Sequence, residues 1–359
     1  MQDIIPWKAF IQDPSIVVTM GVKLGDLVVK HPLAESDLKG KVIAFDTYNM
    51  LYQFLSSIRT PEGFPLTAPD GRVVSHIKGL LGRTVNLLSS SIRPVFIFDG
   101  VPHPLKRGTL DLRRERKEKA RAEWERALEE GDMDRARSKA RQTSRITLDM
   151  VQDAWKLLTL LGLPCIQAKS EGEAQAAHIC IKKEGYAVCS QDFDSLLFGA
   201  PVLIRNMATT GRRKLPGKNV HIDVIPERID LGETLDRLGL TRDQLIDLAI
   251  LMGTDFNEGV PGIGPKKGLA LIKEMGSIEE VSRSRRLPLL EWEEVRKVFR
   301  EPQVHDDYSI SFQDPDLDAA KDFLVGELSF SLASVEGPLK VFEKERTSAG
   351  QSSLDNFFG

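Results

Sequence analysis

The chain has 359 residues, 41% of them hydrophobic and 28% charged, with a formal net charge of −3. That length can bury one large core or two smaller ones, and no apolar run is long enough to cross a membrane as a helix. Cys165, Cys180 and Cys189 have no zinc-site spacing and six scattered histidines form no ligand pair, so a Cys/His metal site is excluded and reduced thiols in a cytosolic setting are expected.

Met1 to Thr19 lack the basic start and apolar core of a signal peptide and read as a loosely held tail. Lys41 to Asp46 is a predicted strand. A helix follows over 47–58, with Tyr48, Leu51, Tyr52, Phe54 and Leu55 on its apolar side. By spacing Tyr52 is core packing; by chemistry it is a platform on which a base stacks. Arg59 to Gly63 closes the helix, Pro69-Asp70-Gly71 is a turn, and 73–90 is helical again. Val95 to Phe98 is a second strand, ending in Asp99-Gly100.

Residues 104–147 change character: few large apolar side chains, many Arg and Lys, interleaved acids and a break at Gly131. Such runs are usually solvated, salt-bridged helices. The first part is biased to basic residues, however, and Lys106 and Arg113 share a helical face, with Arg116 and Lys117 one turn further on. A basic helical insertion directly after an acidic strand end suggests an arch that orders on a polyanion.

Further on, 149–162 is an amphipathic helix and 164–168 a strand. Ser170 and Glu173 have the spacing of a capping box. Ala187 to Ser190 is a strand running into Asp192-Phe193-Asp194, Val202 to Ile204 another, and Gly211-Arg212-Arg213-Lys214 a basic hairpin tip. An apolar helix over 240–252 leads to Asp255. Then Gly262-Ile263-Gly264-Pro265-Lys266-Lys267 opens a helix to Met275 whose N-terminus suits a phosphate. Helices are expected over 287–299 and 318–332. The tail ends in apolar residues after a polar linker.

Acids recur at strand ends: Asp46, Asp99, Asp192 with Asp194, joined by Glu171, Glu173 and Asp255. In a parallel α/β sheet they gather at one edge, where open sheets bind ligands. So many carboxylates cannot all be ionised there without cations. The near-neutral overall charge does not argue against nucleic acid, since acidic metal ligands offset basic contacts.

These residues resemble the structure-specific 5′ flap endonucleases of archaeal and eukaryotic type, from Met20 to Phe358. The likeness is carried by IAFDTYNMLYQFL, FIFDGVPHPLKRG, SEGEAQAAHIC, SQDFDSLLFG, ILMGTDFNEGVPGIGPKK and QSSLDNFF. The resemblance implies an α/β fold: a central, mostly parallel sheet flanked by helices, with a helical arch insertion and a helix-hairpin-helix element. It implies that Asp46, Asp99, Glu171, Glu173, Asp192, Asp194 and Asp255 hold two Mg²⁺ (or Mn²⁺) ions. One would sit towards Asp46, Asp99 and Glu171, the other towards Asp192, Asp194 and Asp255, with Glu173 shared. Lys106 and Arg113 match the basic pair at the scissile phosphate. Tyr52 matches the stacking aromatic. Arg59, Arg116, Lys117, Gly262, Gly264, Lys266 and Lys267 are expected on DNA, with a K⁺ ion near the helix-hairpin-helix.

Gln351, Leu354, Phe357 and Phe358 resemble the anchors of a sliding-clamp-binding peptide. The expected organisation is an extension over 1–19, either disordered or a misassigned start ahead of Met20, nuclease regions over 20–118 and 148–280, and the arch over 104–147. A helical part over 281–346 and a tail over 347–359 follow. The implied activity is 5′ flap endonuclease and 5′–3′ exonuclease in replication and repair, by a monomer in an archaeal cytoplasm. An aspartate-nucleophile phosphatase is disfavoured, since it needs D-x-D on the first strand and the third position is Tyr48. A DNA-binding scaffold with a dead site is disfavoured by the intact acids.

Overall fold

The computed structural model describes residues 22–60, 62–207, 211–214, 221–285 and 291–343, without the side chains of 112, 113, 211–214 and 221–223. In chain order the strands are β1 (His31–Pro32), β2 (Val42–Asp46), β3 (Arg93–Phe98), β4 (Cys165–Gln167), β5 (Ala187–Cys189), β6 (Val202–Arg205), β7 (Gly211–Lys214), β8 (His221–Val224) and β9 (Glu227–Asp230). The helices are α1 (Thr47–Ser57), α2 (Ser75–Ser89), α3 (Arg107–Glu129), α4 (Met133–Gln142), α5 (Leu148–Leu160), α6 (Gly172–Ile181) and α7 (Asp194–Leu197), then α8 (Leu231–Leu238), α9 (Arg242–Met252), α10 (Pro265–Met275), α11 (Ile278–Arg285), α12 (Trp292–Arg300) and α13 (Leu317–Lys321).

Seven strands form one sheet in the order β1-β9-β6-β5-β2-β3-β4. The pairs among β6, β5, β2, β3 and β4 are parallel, while β9 runs antiparallel to β6 and β1 antiparallel to β9. The apolar runs VIAFD and RPVFIF suit strands covered on both faces, and their alternation divides the core. Ala44, Val95, Ile97 and Val188 face one cluster with α6, α7, α9 and α10. Ile43, Phe45, Phe96 and Phe98 face another with α1, α2 and α5.

The expected elements from the first strand to α10 are present, with shifted ends. Gly211 to Lys214, expected as a hairpin tip, is instead strand β7, paired antiparallel with β8. The helix expected over 318–332 ends earlier: α13 passes into a π-helical turn, Asp322–Glu327, and a separate helical stretch covers 332–343. In the insertion, α3 and α4 pack through Ala120, Ala127, Ala136 and Ala140, reversing at Gly131 (φ 73°). The loop after α1 packs under them. Phe64 meets Trp124 edge-on at 5.1 Å, and a Cβ on Gly63 would come within 2.8 Å of Ala140.

Arg296 of α12 ties three helices together. Its guanidinium donates to Asp247 of α9 at 2.7 Å and to Glu279 of α11 at 2.6 Å. Asp247 is only 2% exposed, so Arg296→Leu leaves a buried carboxylate without its counter-charge. A loss of about 3–5 kcal/mol in urea unfolding is expected. A loss under about 1 kcal/mol would mean the site adapts by protonating Asp247, the direction in which burial already pushes it.

Candidate active site

The chain runs from β2 outward through β3 to β4, then returns to the other side of β2 for β5 and β6. That reversal opens a crevice beyond the carboxyl ends of β2 and β5. Asp46 ends β2, Asp99 follows β3, and Asp192 and Asp194 follow β5. Glu171 and Glu173 stand at the start of α6, and Asp255 on the loop after α9.

Several of these acids are also held by the fold. Asp46 is the N-cap of α1, accepting from the Asn49 amide at 3.0 Å, and its other oxygen accepts from Ser190 Oγ at 3.1 Å. Asn49 Nδ2 donates to Asp192 at 2.9 Å. The buried Asp194 accepts from the Val22 amide at 2.9 Å. The expected capping box at Ser170 does not form. Glu171 takes the N-cap position without a side-chain cap bond, and the carboxylate of Asp99 accepts from the Gly172 amide at 2.6 Å instead. A distant strand end satisfies the helix terminus, and Glu173 is left free of capping duty. Thr254 and Asn257 brace the loop of Asp255: Asn257 Oδ1 accepts from Thr254 Oγ1 at 2.7 Å.

Lys106, in the short turn ahead of α3, reaches into this group. Its ammonium lies 2.5 Å from Glu171 and 3.4 Å from Asp255. Burial alone would lower its pKa, but Glu171, Asp255 and Asp99 outweigh that and keep it protonated. One cation does not balance the crowd. Burial, then Asp99, push Asp46 up to about 8. Burial, then Glu171, push Asp99 up to about 6. Glu173 and Asp194 are raised well above the carboxylate range, first by burial and then by Asp194 and Asp255 respectively.

The residues fit divalent cations. The donor set is oxygen only, as hard cations prefer. Glu173 Oε1 is buried with no hydrogen-bond partner among the described residues. Among those residues no three acidic, His or Cys side chains converge as a finished cage; the Lys106 ammonium stands against Glu171 and Asp255 and supplies part of the missing charge.

Two family models match the chain, the XPG N-terminal domain over residues 20–120 and the XPG I-region over 162–255. Flap endonuclease 1 of Methanosarcina acetivorans is 47% identical over 341 residues, 94% of this chain and 100% of that protein. The chain belongs to the flap endonuclease 1 family. The solved flap endonuclease-1 from Methanococcus jannaschii superposes with a TM-score of 0.73 at 38% identity, covering 92% of this chain and 100% of that one. The catalytic core of Rad2 in complex with DNA substrate gives 0.67 at 26% identity, covering 90% and 99%. As a flap endonuclease, the chain is a Mg²⁺-dependent, structure-specific nuclease of replication and repair. No described helix is long and apolar enough to cross a membrane.

The other expected site residues fall in four groups, the last of them outside the described residues. Tyr52 is half-buried on α1, with the Lys117 ammonium of α3 5.2 Å from its ring centre. Arg116 is exposed on the same helix. Arg59 is engaged inside the protein, donating to the carbonyls of Leu55 and Gly63 and to Ser144 Oγ, which fastens the loop after α1 beneath the insertion. Gly262, Gly264, Lys266 and Lys267 are exposed where α10 begins, and Gly264 occupies the N-cap position, so no side chain caps that helix. The side chain of Arg113, and Gln351, Leu354, Phe357 and Phe358, lie outside the described residues. Sequence reading missed Asn49, Gln53 and Ser190. The one available signal was Asn49 three residues after a strand-end Asp, the spacing of a cap.

Without metal the raised acids bear on stability. Folded, they hold protons that the unfolded chain releases near pH 4, so stability falls as pH rises towards the Asp46 value of about 8. The buried His76, depressed to about 3 by burial, acts oppositely, costing stability only below its unfolded value of about 6.5. In EDTA, thermal unfolding between pH 6.5 and 8.5 should therefore show stability falling by on the order of 1 kcal/mol per pH unit. Mg²⁺ should flatten the slope; a flat profile in EDTA would contradict the charge crowding.

Proposed function

We propose that Asp46, Asp99, Glu171, Glu173, Asp192, Asp194 and Asp255 hold two Mg²⁺ ions (Mn²⁺ also serving) for hydrolysis of one phosphodiester at the base of a 5′ DNA flap, with 5′–3′ exonuclease action on recessed ends. The reading is carried by one observation, the acids gathered at the strand-order reversal with Lys106 among them. The ions would activate water and stabilise the attacking and leaving oxygens. The first site draws on Asp46, Asp99 and Glu171, the second on Asp192, Asp194 and Asp255, and Glu173 serves both.

Lys106 offers its ammonium to the scissile phosphate, where negative charge builds, and Arg113 of α3 assists it. Tyr52 stacks the neighbouring base. The α3–α4 insertion is the arch through which the single-stranded 5′ end passes, with the exposed Arg116 on its phosphates; Lys117, expected there too, is buried with its ammonium against the Tyr52 ring and braces the arch from inside instead. Support for the arch comes from its position directly after Asp99 and its basic composition. The segment α9–loop–α10 is the helix-hairpin-helix. The exposed, uncapped start of α10 leaves amide groups for a duplex phosphate beside Lys266 and Lys267, reading no bases, with K⁺ held nearby. Arg59 acts by holding the loop under the arch.

The tail over 347–359 is the tether to a sliding clamp of an archaeal cell, through Gln351, Leu354, Phe357 and Phe358. Deleting 351–359 should leave basal cleavage unchanged and remove stimulation by the clamp; an undiminished clamp response would reject the tether. The whole reading is tested by mapping products from a labelled double-flap DNA with Mg²⁺ and with EDTA. A Mg²⁺-dependent cut at or one nucleotide inside the junction is expected; tight binding with no cut would reject it.

A further inference from the structure

We infer that Asn49 is a positioning residue that aims Asp192 at the second metal site, with Gln53 holding Asn49 in turn; this rests on the two-metal reading above. Asn49 is 5% exposed on the first turn of α1. Its backbone amide caps Asp46, and its side-chain amide reaches Asp192 on the loop after β5. One residue therefore touches a carboxylate from each proposed site. Which way the amide faces is fixed by its neighbours. Asn49 Oδ1 accepts from Gln53 Nε2 at 2.6 Å, so Nδ2 is the atom that faces Asp192 Oδ2 at 2.9 Å.

The chemistry at position 49 is narrow. An aspartate would set a further anion against Asp192 in a region already crowded with carboxylates. A leucine would fill the space and offer Asp192 no donor. Asp192 sits on a half-buried loop residue, and its own amide donates to Ser190 Oγ at 3.1 Å, while Ser190 also donates to Asp46. Asn49 and Ser190 thus make two independent bridges between the same pair of acids. Groups that orient metal ligands in this way commonly change metal affinity by about 10- to 100-fold when removed.

The test is Mn²⁺ binding to the full chain without DNA, followed by electron paramagnetic resonance and by calorimetry, for the native protein, Asn49→Leu, Gln53→Met and Asp192→Ala. The native protein should bind two ions and give the spectrum of a coupled pair. Asn49→Leu should weaken the weaker step by about 10- to 100-fold and lose the coupled spectrum, leaving the tighter step within about twofold and the melting temperature in EDTA unchanged. Gln53→Met should move the same step in the same direction by less. It decides the matter if Asn49→Leu does not fold. Native-like binding by both variants, beside selective weakening in Asp192→Ala, would overturn the role of Asn49 and leave the metal reading intact. Native-like binding by Asp192→Ala would overturn both. Equal weakening of both steps, with a lowered melting temperature, would make Asn49 a packing residue only.

Discussion

Asp194→Asn should reduce Mg²⁺-dependent flap cleavage by roughly 1,000-fold or more, the scale of several kcal/mol of lost metal-assisted stabilisation, while flap affinity stays within a few-fold. Asparagine is the informative choice. Asp194 accepts from the Val22 amide in the buried interior, and an asparagine oxygen preserves that bond while removing the charge. Burial and the neighbouring Asp255 and Asp192 already disfavour ionised Asp194, so a neutral side chain is tolerated by the metal-free fold. Single-turnover cleavage and binding of a labelled double flap separate the two effects. Parallel loss of binding and cutting would mean that Asp194 builds the DNA surface rather than the chemistry.

Lys106→Ala should lower the single-turnover rate by about 100- to 1,000-fold, as removal of one preorganised group at a developing charge commonly does. Flap affinity should change little, because one phosphate contact among many carries a small share of binding. The substitution has a second signature. Lys106 lies 2.5 Å from Glu171 and 3.4 Å from Asp255, so its loss removes positive charge from the metal-free site. The melting temperature in EDTA at pH 8 should fall and recover on adding Mg²⁺. A rate within about threefold of native would exclude Lys106 from the proposed transition state.

The strand-end acids were legible because an apolar run stopping at an aspartate is a local pattern, and parallel strands bring such ends to one edge. The reversal of strand order between β2 and β5 was not legible, since it depends on which strands pair. The capping box at Ser170 failed for a related reason. The spacing was right, but Asp99, 73 positions away, took the Gly172 amide. Asn49 and Asp192 are 143 positions apart, beyond any periodicity. Arg59 was expected on DNA; its acceptor Ser144, 85 positions away, comes within reach only once the insertion has folded over the loop.

The acids differ in what else depends on them. Asp46 starts α1, Asp99 starts α6 and Asp194 anchors Val22, whereas Glu173 keeps a buried oxygen with no partner among the described residues. Evolution can therefore discard them only in a certain order. In a descendant that kept the fold for some non-enzymatic purpose, drift would erase Glu173 early, because neutralising it relieves repulsion. Asp46 and Asp99 would persist as relics, preserved by the helices they begin. Their survival in such a lineage would be a record of architecture and no sign of surviving activity.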